Sequence, residues 1–461
     1  MQRYSLWFLL LATLYVSGCT TASRGKPAPV SELPAAVLVP PVAPVDPAMS
    51  VLTPSTVDMT ALPTSMPPLP PAVDYAPHIA IILPLKNTMF AAAAEAVRLG
   101  FMTAASSQVR DFPVRVYNSV DESRDVVEIY RQAQANGALA VAGPLTRSGV
   151  TLLAAYPYIT VPTLAMNTSE QLPVSSKLYF FGLIPETEAR QIAQLAFAAK
   201  LRDATIINTG TPLSKRISTA FAEEWKKLGG NVTAEVLYKD GDDSSVLINL
   251  PTAAWLVDPV PVVPLITEAN AADATVPKRP GPPPVAPGNV AFIAGDTRQT
   301  RLIRPYLNPS LPVYGTSQLF NLNSDTLTNY DLNDIRFVDM PWLLQPDHPA
   351  VMVYPKATAI NDTDKERLYA FGIDSYRLLN ILLKNRLQVA LPLDGVTGRI
   401  KLAEGNVFQR DATPALFRYG RGFTPSGLSA YETERAAAKA ADFAARRAAT
   451  LENSAPTQPA K

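Results

Sequence analysis

From His78 onward, short unbroken apolar runs alternate with longer stretches whose large residues recur every three or four positions. His78-Ile79-Ala80-Ile81-Ile82-Leu83-Pro84-Leu85 has the continuous apolar character of a strand buried on both faces. Residues 90–106 follow with Phe90, Val97, Phe101 and Met102 at helical spacing. The cycle repeats with a strand at 114–117 and a helix at 124–136, with Asp121 and Ser123 ahead of it as capping candidates. A strand at 138–145, a helix from about Ser148 and a strand at 163–167 complete the first half. A second half reads the same way: strand 178–183, helix 185–200, strand 204–208, then an amphipathic helix at 213–228 stopped by Gly229-Gly230. Strands at 232–238, 289–295 and 311–315 follow, with a helix at 299–307 before the last. Apolar strands alternating with helices predict an α/β protein with parallel sheets covered by helices on both faces. Two successive halves predict a two-lobed, binding-protein-like domain over residues 78–425.

The flanks carry no such pattern. Behind Arg3, residues 5–16 form an apolar run shorter than the roughly 20 residues a membrane-spanning helix needs. A charged start, a short apolar core and small residues describe a secretory signal at 1–18. Val16-Ser17-Gly18-Cys19 reads as a lipobox, with cleavage before Cys19 and acylation of its thiol. Thr20 in place of an inner-membrane retention aspartate points to the outer membrane. Such acylation exceeds the two-signal threshold for stable anchoring.

Of the 44 prolines, fourteen fall between Pro27 and Pro77, and charges are scarce there. Residues 19–77 are expected to be a disordered, polyproline-like tether, whose roughly fifty residues from Pro27 to Pro77 reach on the order of 150 Å if fully extended at about 3.1 Å per residue. Residues 251–288, with ten more prolines, are expected to be a surface insertion. Residues 426–461 form an Ala-rich tail expected to be helical or disordered.

Composition narrows the function. The balance of 41 basic and 40 acidic residues, with no basic run carrying aromatics, excludes an obvious nucleic-acid partner. One cysteine and two histidines leave no material for a disulfide or a histidine-based metal site, and no cofactor is expected. No catalytic motif emerges from the chain, which reads as a non-enzyme. Ligands of parallel α/β lobes bind beyond the carboxyl ends of strands. The candidates there are Lys86, Asn87, Gly143, Pro144, Thr146, Asn167, Thr168, Thr209 and Asp296. Their amides and hydroxyls could hold a carboxylate, and the same residues serve equally as helix caps and turns.

Residues 78–420 resemble the C-terminal domain of the LpoA family, outer-membrane lipoprotein activators of class A penicillin-binding proteins. The resemblance rests on Ile79-Ala80-Ile81-Ile82-Leu83-Pro84-Leu85, Ala142-Gly143-Pro144-Leu145 and Leu164-Ala165-Met166-Asn167. It continues through Pro185-Glu186-Thr187-Glu188-Ala189-Arg190, Arg301-Leu302-Ile303-Arg304-Pro305 and Leu311-Pro312-Val313-Tyr314-Gly315-Thr316-Ser317. The more specific blocks are Met340-Pro341-Trp342-Leu343-Leu344 and Arg367-Leu368-Tyr369-Ala370-Phe371-Gly372-Ile373-Asp374-Ser375-Tyr376-Arg377, with Leu393-Asp394-Gly395-Val396-Thr397-Gly398 after them. The resemblance implies a type I periplasmic-binding-protein fold that does not transport. It also implies a class A penicillin-binding protein (a peptidoglycan synthase) as partner, activated by direct contact from the outer membrane. Family members carry a helical-repeat domain where this chain has the proline tether. The runner-up from a different class is a lipoprotein that binds an amino acid or similar small solute. A third reading is plain adhesion to peptidoglycan.

Overall fold

The computed structural model describes residues 66–107, 112–239, 286–358 and 360–453. Cys19, the tether up to residue 65 and all of the 251–288 insertion except 286–288 lie outside the described residues.

Lobe 1 opens with β1 (His78–Leu83), α1 (Ala91–Ser107), β2 (Val114–Asn118), α2 (Glu122–Ala135), β3 (Ala138–Ala142), α3 (Arg147–Ala154), β4 (Thr163–Ala165) and β5 (Leu178–Phe181). The chain crosses into lobe 2 for α4 (Pro185–Ala198), β6 (Asp203–Asn208), α5 (Pro212–Lys227), β7 (Asn231–Leu237), β8 (Asn289–Ala294), α6 (Thr297–Ile303), β9 (Val313–Gly315) and β10 (Arg336–Asp339). It returns to lobe 1 through the short α7 (Pro341–Leu344) and α8 (Pro349–Met352). There it forms the long α9 (Thr363–Leu383), then α10 (Leu387–Ala390), β11 (Leu393–Asp394), β12 (Arg399–Ala403) and β13 (Val407–Asp411). A third crossing leads to β14 (Thr413–Arg418), β15 (Arg421–Phe423) and α11 (Pro425–Asn453).

Each lobe is built on one sheet. Lobe 1 has eight strands in the order β11-β12-β13-β5-β4-β3-β1-β2, and lobe 2 seven in the order β15-β14-β10-β9-β8-β6-β7. The β/α portions are parallel, as expected. The antiparallel strands β11, β12, β14 and β15 extend the sheets on one edge. Because side chains alternate along a strand, each apolar run feeds two cores. Ile79, Ile81 and Leu83 pack under α1 and α9, whereas Ala80 and Ile82 pack under α2 and α3. In lobe 2, Ile206 and Phe292 face α4 and α5, while Ile207 and Ile293 face α6 and the segment after it.

Three sequence expectations shift. The strand starting at Ala138 ends at Ala142, before Gly143-Pro144. The helix expected at 299–307 stops as an α-helix at Ile303 and tightens into a 3₁₀ turn at Arg304–Tyr306, where Pro305 supplies no N–H. Residues 66–77, counted with the tether, instead lie along lobe 1, where Arg131 and Asn136 bond their backbone. The Ala-rich tail is helical to Asn453, and its first turns are anchored where Tyr431 packs on Phe423 and Tyr419.

Candidate functional site: the crevice between the lobes

A cavity of about 350 Å³ opens between the lobes, and a neighbour of about 320 Å³ shares Arg147, Ile184, Glu186 and Arg216 with it. Lobe 1 contributes Arg147 at the start of α3, Asn167 to Glu170 beyond β4, and Val407 to Arg410 on β13. Lobe 2 contributes Glu186, Glu188 and Arg190 from the first turns of α4, and Arg216 from α5. Pro185 at N1 fixes the start of α4, so its acidic first turn sits where the helix dipole favours it.

Charge pairing organises the floor. Arg410 donates to Glu188 with both side chains almost wholly buried. The other Glu188 oxygen accepts the Ser317 N–H at 3.0 Å, and Arg410 also donates to the Thr397 carbonyl at 3.1 Å. Arg216 pairs with Glu186 Oε1 at 3.0 Å. Glu186 Oε2 is buried with no hydrogen-bond partner among the described residues. The exposed Arg147 and Arg190 guanidinium groups have no ion-pair partner among the described residues.

Two further buried carboxylates brace the crevice. Arg367 on α9 reaches across to Asp339 Oδ2 (2.7 Å) and to the carbonyls of Ser317 (2.9 Å) and Phe320 (2.8 Å). Burial alone would lower the Arg367 pKa, but the adjacent Asp339 charge more than offsets this and raises it. Asp374 accepts the Val396 and Thr397 N–H groups and the Thr397 hydroxyl, fixing the 395–398 loop. Trp342 donates to Glu366 at 2.6 Å and lies under the Lys356 ammonium. Burial lowers the Lys356 pKa, with Glu366 pulling the other way.

The residues singled out from sequence scatter over these surfaces. Asn167 and Thr168 line the crevice; Asn167 donates to the Leu145 carbonyl (3.1 Å) and accepts the Thr168 N–H. Thr146 is the N-cap of α3. Its N–H, with that of Leu145, is taken by the buried Glu122 carboxylate at 2.7 to 3.1 Å. Burial pushes the Glu122 carboxyl above its ordinary range, while the contacts from Thr146 and Leu145 oppose the rise. Gly143 and Pro144 are buried in the strand-to-helix turn. Gly143 N–H goes to the Leu164 carbonyl and the Pro144 carbonyl to Met166 N–H. Asn87 caps the start of α1 and ties it to Val120, next to the exposed Lys86. In lobe 2, Thr209 is buried against Ser214 and Ala294. Asp296 closes a capping box with Gln299 and borders a separate depression of about 270 Å³. Sequence reasoning missed Arg147, Glu186, Glu188, Arg190, Arg216 and Arg410 as crevice residues. For three of them the signal lay in the block at 185–190, where charged residues at every second position, Glu186, Glu188 and Arg190, begin a helix at the first crossing.

Among the described residues no helix is long and apolar enough to cross a membrane, and no group of His, Cys, Asp and Glu could hold a metal ion. Penicillin-binding protein activator LpoA of Edwardsiella ictaluri is 29% identical over 313 residues, which is 65% of this chain and 45% of that protein. The chain thus spans under half the length of this relative. Among solved structures, the LpoA C-domain of Haemophilus influenzae, a regulator of PBP1A, is 21% identical with a TM-score of 0.57 and matches 75% of this chain and 99% of that one. The structure of "a putative branched-chain amino acid ABC transporter" from Chromobacterium violaceum is 32% identical with a TM-score of 0.58, covering 74% of this chain and 100% of that one. These neighbours establish the periplasmic-binding-protein-like architecture. The family profile described as "LppC putative lipoprotein" matches residues 72–256 and 282–420, and the chain belongs to that family.

Proposed function

We propose that the protein is an outer-membrane lipoprotein that switches on a class A penicillin-binding protein by touching it. The observation that carries this is the similarity to LpoA activators over 313 residues, with the family match covering residues 72–256 and 282–420. Residues in the blocks that carry the resemblance have structural roles: Glu188, Arg367 and Asp374 each hold a crossing or loop between or beside the lobes. A braced surface of this kind suits a protein that acts by contact. Activation then follows from higher affinity for the active state of the synthase than for its resting state. Acylated Cys19 would hold the chain at the membrane, and the proline segment would supply reach and a raised effective concentration. The head itself performs no chemistry in this reading.

The test is capture of a class A synthase by the purified chain, together with faster glycan polymerisation when the chain is added. Failure of both, with an active synthase, overturns the proposal. Hydrolysis or group transfer by the chain alone would overturn its non-catalytic part.

One observation favours a second reading. The neighbour described as an amino acid transporter matches over its whole length, and the crevice offers an unpaired Glu186 oxygen beside unpaired arginines. That combination suits a ligand bearing both ammonium and carboxylate groups. Against it, the Leu145 and Thr146 N–H groups just ahead of α3, in the turn expected to hold a carboxylate, are already taken by Glu122. A marked rise in melting temperature with a millimolar amino acid would favour this reading.

A further inference from the structure

The face of α2 that carries Arg131 and Gln132, together with Asn136 at its C-cap, holds a stretch of the chain's own proline-rich segment. Arg131 donates to the Pro68 carbonyl at 2.6 Å and Gln132 to the Pro71 carbonyl at 3.2 Å. Asn136 then accepts the Val73 N–H at 3.0 Å on its side chain, and the Ala76 N–H at 3.0 Å on its backbone carbonyl. Between these, Arg115 donates to the Asp74 carbonyl at 2.7 Å and pairs with the Asp74 carboxylate at 3.0 Å.

The spacing of the first two contacts is informative. A polyproline II helix has three residues per turn and makes no internal hydrogen bonds, so carbonyls three apart lie on one edge, free to accept. Pro68 and Pro71 are such a pair within Met66-Pro67-Pro68-Leu69-Pro70-Pro71. The donors are pre-set. Glu128 pairs with Arg131 at 2.9 Å, and Gln132 also donates to Asn136 Oδ1 at 3.1 Å. Nearly every contact reads backbone, so the site selects conformation rather than side chains. Prolines upstream of an edge-reading surface supply that conformation at low entropic cost.

We propose that Arg131, Gln132 and Asn136 form a polyproline-binding site whose resident ligand is Met66 to Val73 of the same chain. The site clamps the head-proximal end of the tether. It takes residues 66–77 out of the free leash, about 37 Å at roughly 3.1 Å per residue. The proposal stands on these contacts alone and holds whatever the head touches.

Hydrogen exchange on the full chain tests it, since few amides interrupt the prolines. In the wild-type protein the Val73 and Ala76 amides should exchange slowly, and those of Leu69 and Tyr75 fast. In the double variant Arg131→Ala, Gln132→Ala, Val73 exchange should quicken about tenfold or more, the effect of losing two hydrogen bonds of ordinary strength. The amides of β1 and β3 should keep their protection, which shows that the lobe still folds. A second full-chain variant, with Pro67, Pro68, Pro70 and Pro71 replaced by serine, should lose Val73 protection while leaving the donors intact. In that variant a synthetic peptide of residues 64–74, added at millimolar concentration, should shift the side-chain amide resonances of Gln132 and Asn136. Unchanged Val73 exchange in both variants overturns the site. Peptide shifts confined to residues elsewhere overturn the assignment of its donors.

Discussion

Glu188, almost wholly buried, takes an arginine from one lobe and a backbone N–H from the loop after β9 of the other. Taking one member of a buried pair away strands the other, at a cost of about 3–5 kcal/mol. Arg410→Leu and Glu188→Ala should each lower the stability of the chain by that order, read from the urea midpoint at constant slope. Replacing both with apolar residues of similar volume should cost much less, because no uncompensated charge then remains. A second residue-scale effect belongs to His78, fully buried at the head of β1. Its Nδ1 lies 2.7 Å from the Ala76 carbonyl, which can only accept, so Nδ1 carries the proton and Nε2 accepts from the Tyr117 hydroxyl at 3.0 Å. Burial lowers the His78 pKa, with the Ala76 carbonyl acting against the fall. The unfolded chain therefore binds the proton first. Stability should be unaffected by this residue above about pH 6.5, the ordinary imidazole value, and should decline as the pH falls from there toward the depressed folded value. The slope of melting temperature between pH 7 and 5.5 should flatten in His78→Gln. An unchanged slope would assign the acid sensitivity to other groups.

Helices α1 and α9 show why a family block can be mostly about packing. A Cβ at Gly372 would lie 2.1 Å from the Val97 carbonyl oxygen, and one at Gly100 would lie 1.8 Å from that of Tyr369. The two backbones approach so closely that only glycine fits on either side. Gly372→Ala should force the helices apart and cost about 1–3 kcal/mol or more, seen as a lower melting temperature with helical content retained at 20 °C. No loss would mean that α9 can shift without penalty. The same helix marks the limit of what the apolar pattern reveals. The β/α elements of both lobes were legible because their apolar strands feed cores on both faces, and the turn residues between them act locally. Asp121 caps α2 through the Ser123 N–H, as its position suggested. Helix α9 was not legible from periodicity, because Arg367, Asp374 and Ser375 are buried along with its apolar residues and leave no polar face. The short strands β11 to β15 were missed for a different reason. Runs of two to six residues carry little periodicity, and the pairings that join them to the two sheets, β13 with β5 and β14 with β10, bring together segments far apart in sequence. The crevice charges were hidden likewise, since Glu188 and Arg410 meet only through the return of β13 to the first sheet.

The two lobes of a solute receptor must rotate about their crossings to admit and trap a ligand. In this chain ties flank the crossings. Beside the third, the Gln191 side chain both donates to and accepts from the Ala412 backbone, at 2.7 and 3.0 Å. Between lobes, the Glu188–Arg410 pair closes the floor, and Arg367 fastens α9 to the end of β10 and to the 317–320 turn. Thr363 adds bonds to Asn321 and Leu322 at the head of α9. A hinge motion would have to break several of these buried charge contacts together, so the relative lobe position should be insensitive to small solutes. Dyes on cysteines at the exposed positions Arg124 and Lys215, one on each lobe, provide the measurement in a Cys19→Ser background. Energy transfer between them should stay constant across millimolar amino acids. It should broaden in Arg367→Ala combined with Gln191→Ala, where the ties are cut. A saturable change with one amino acid in the otherwise unaltered head would instead mean that the lobes close on a ligand despite the ties. The contact-based reading would then have to yield to a receptor whose crevice does the work.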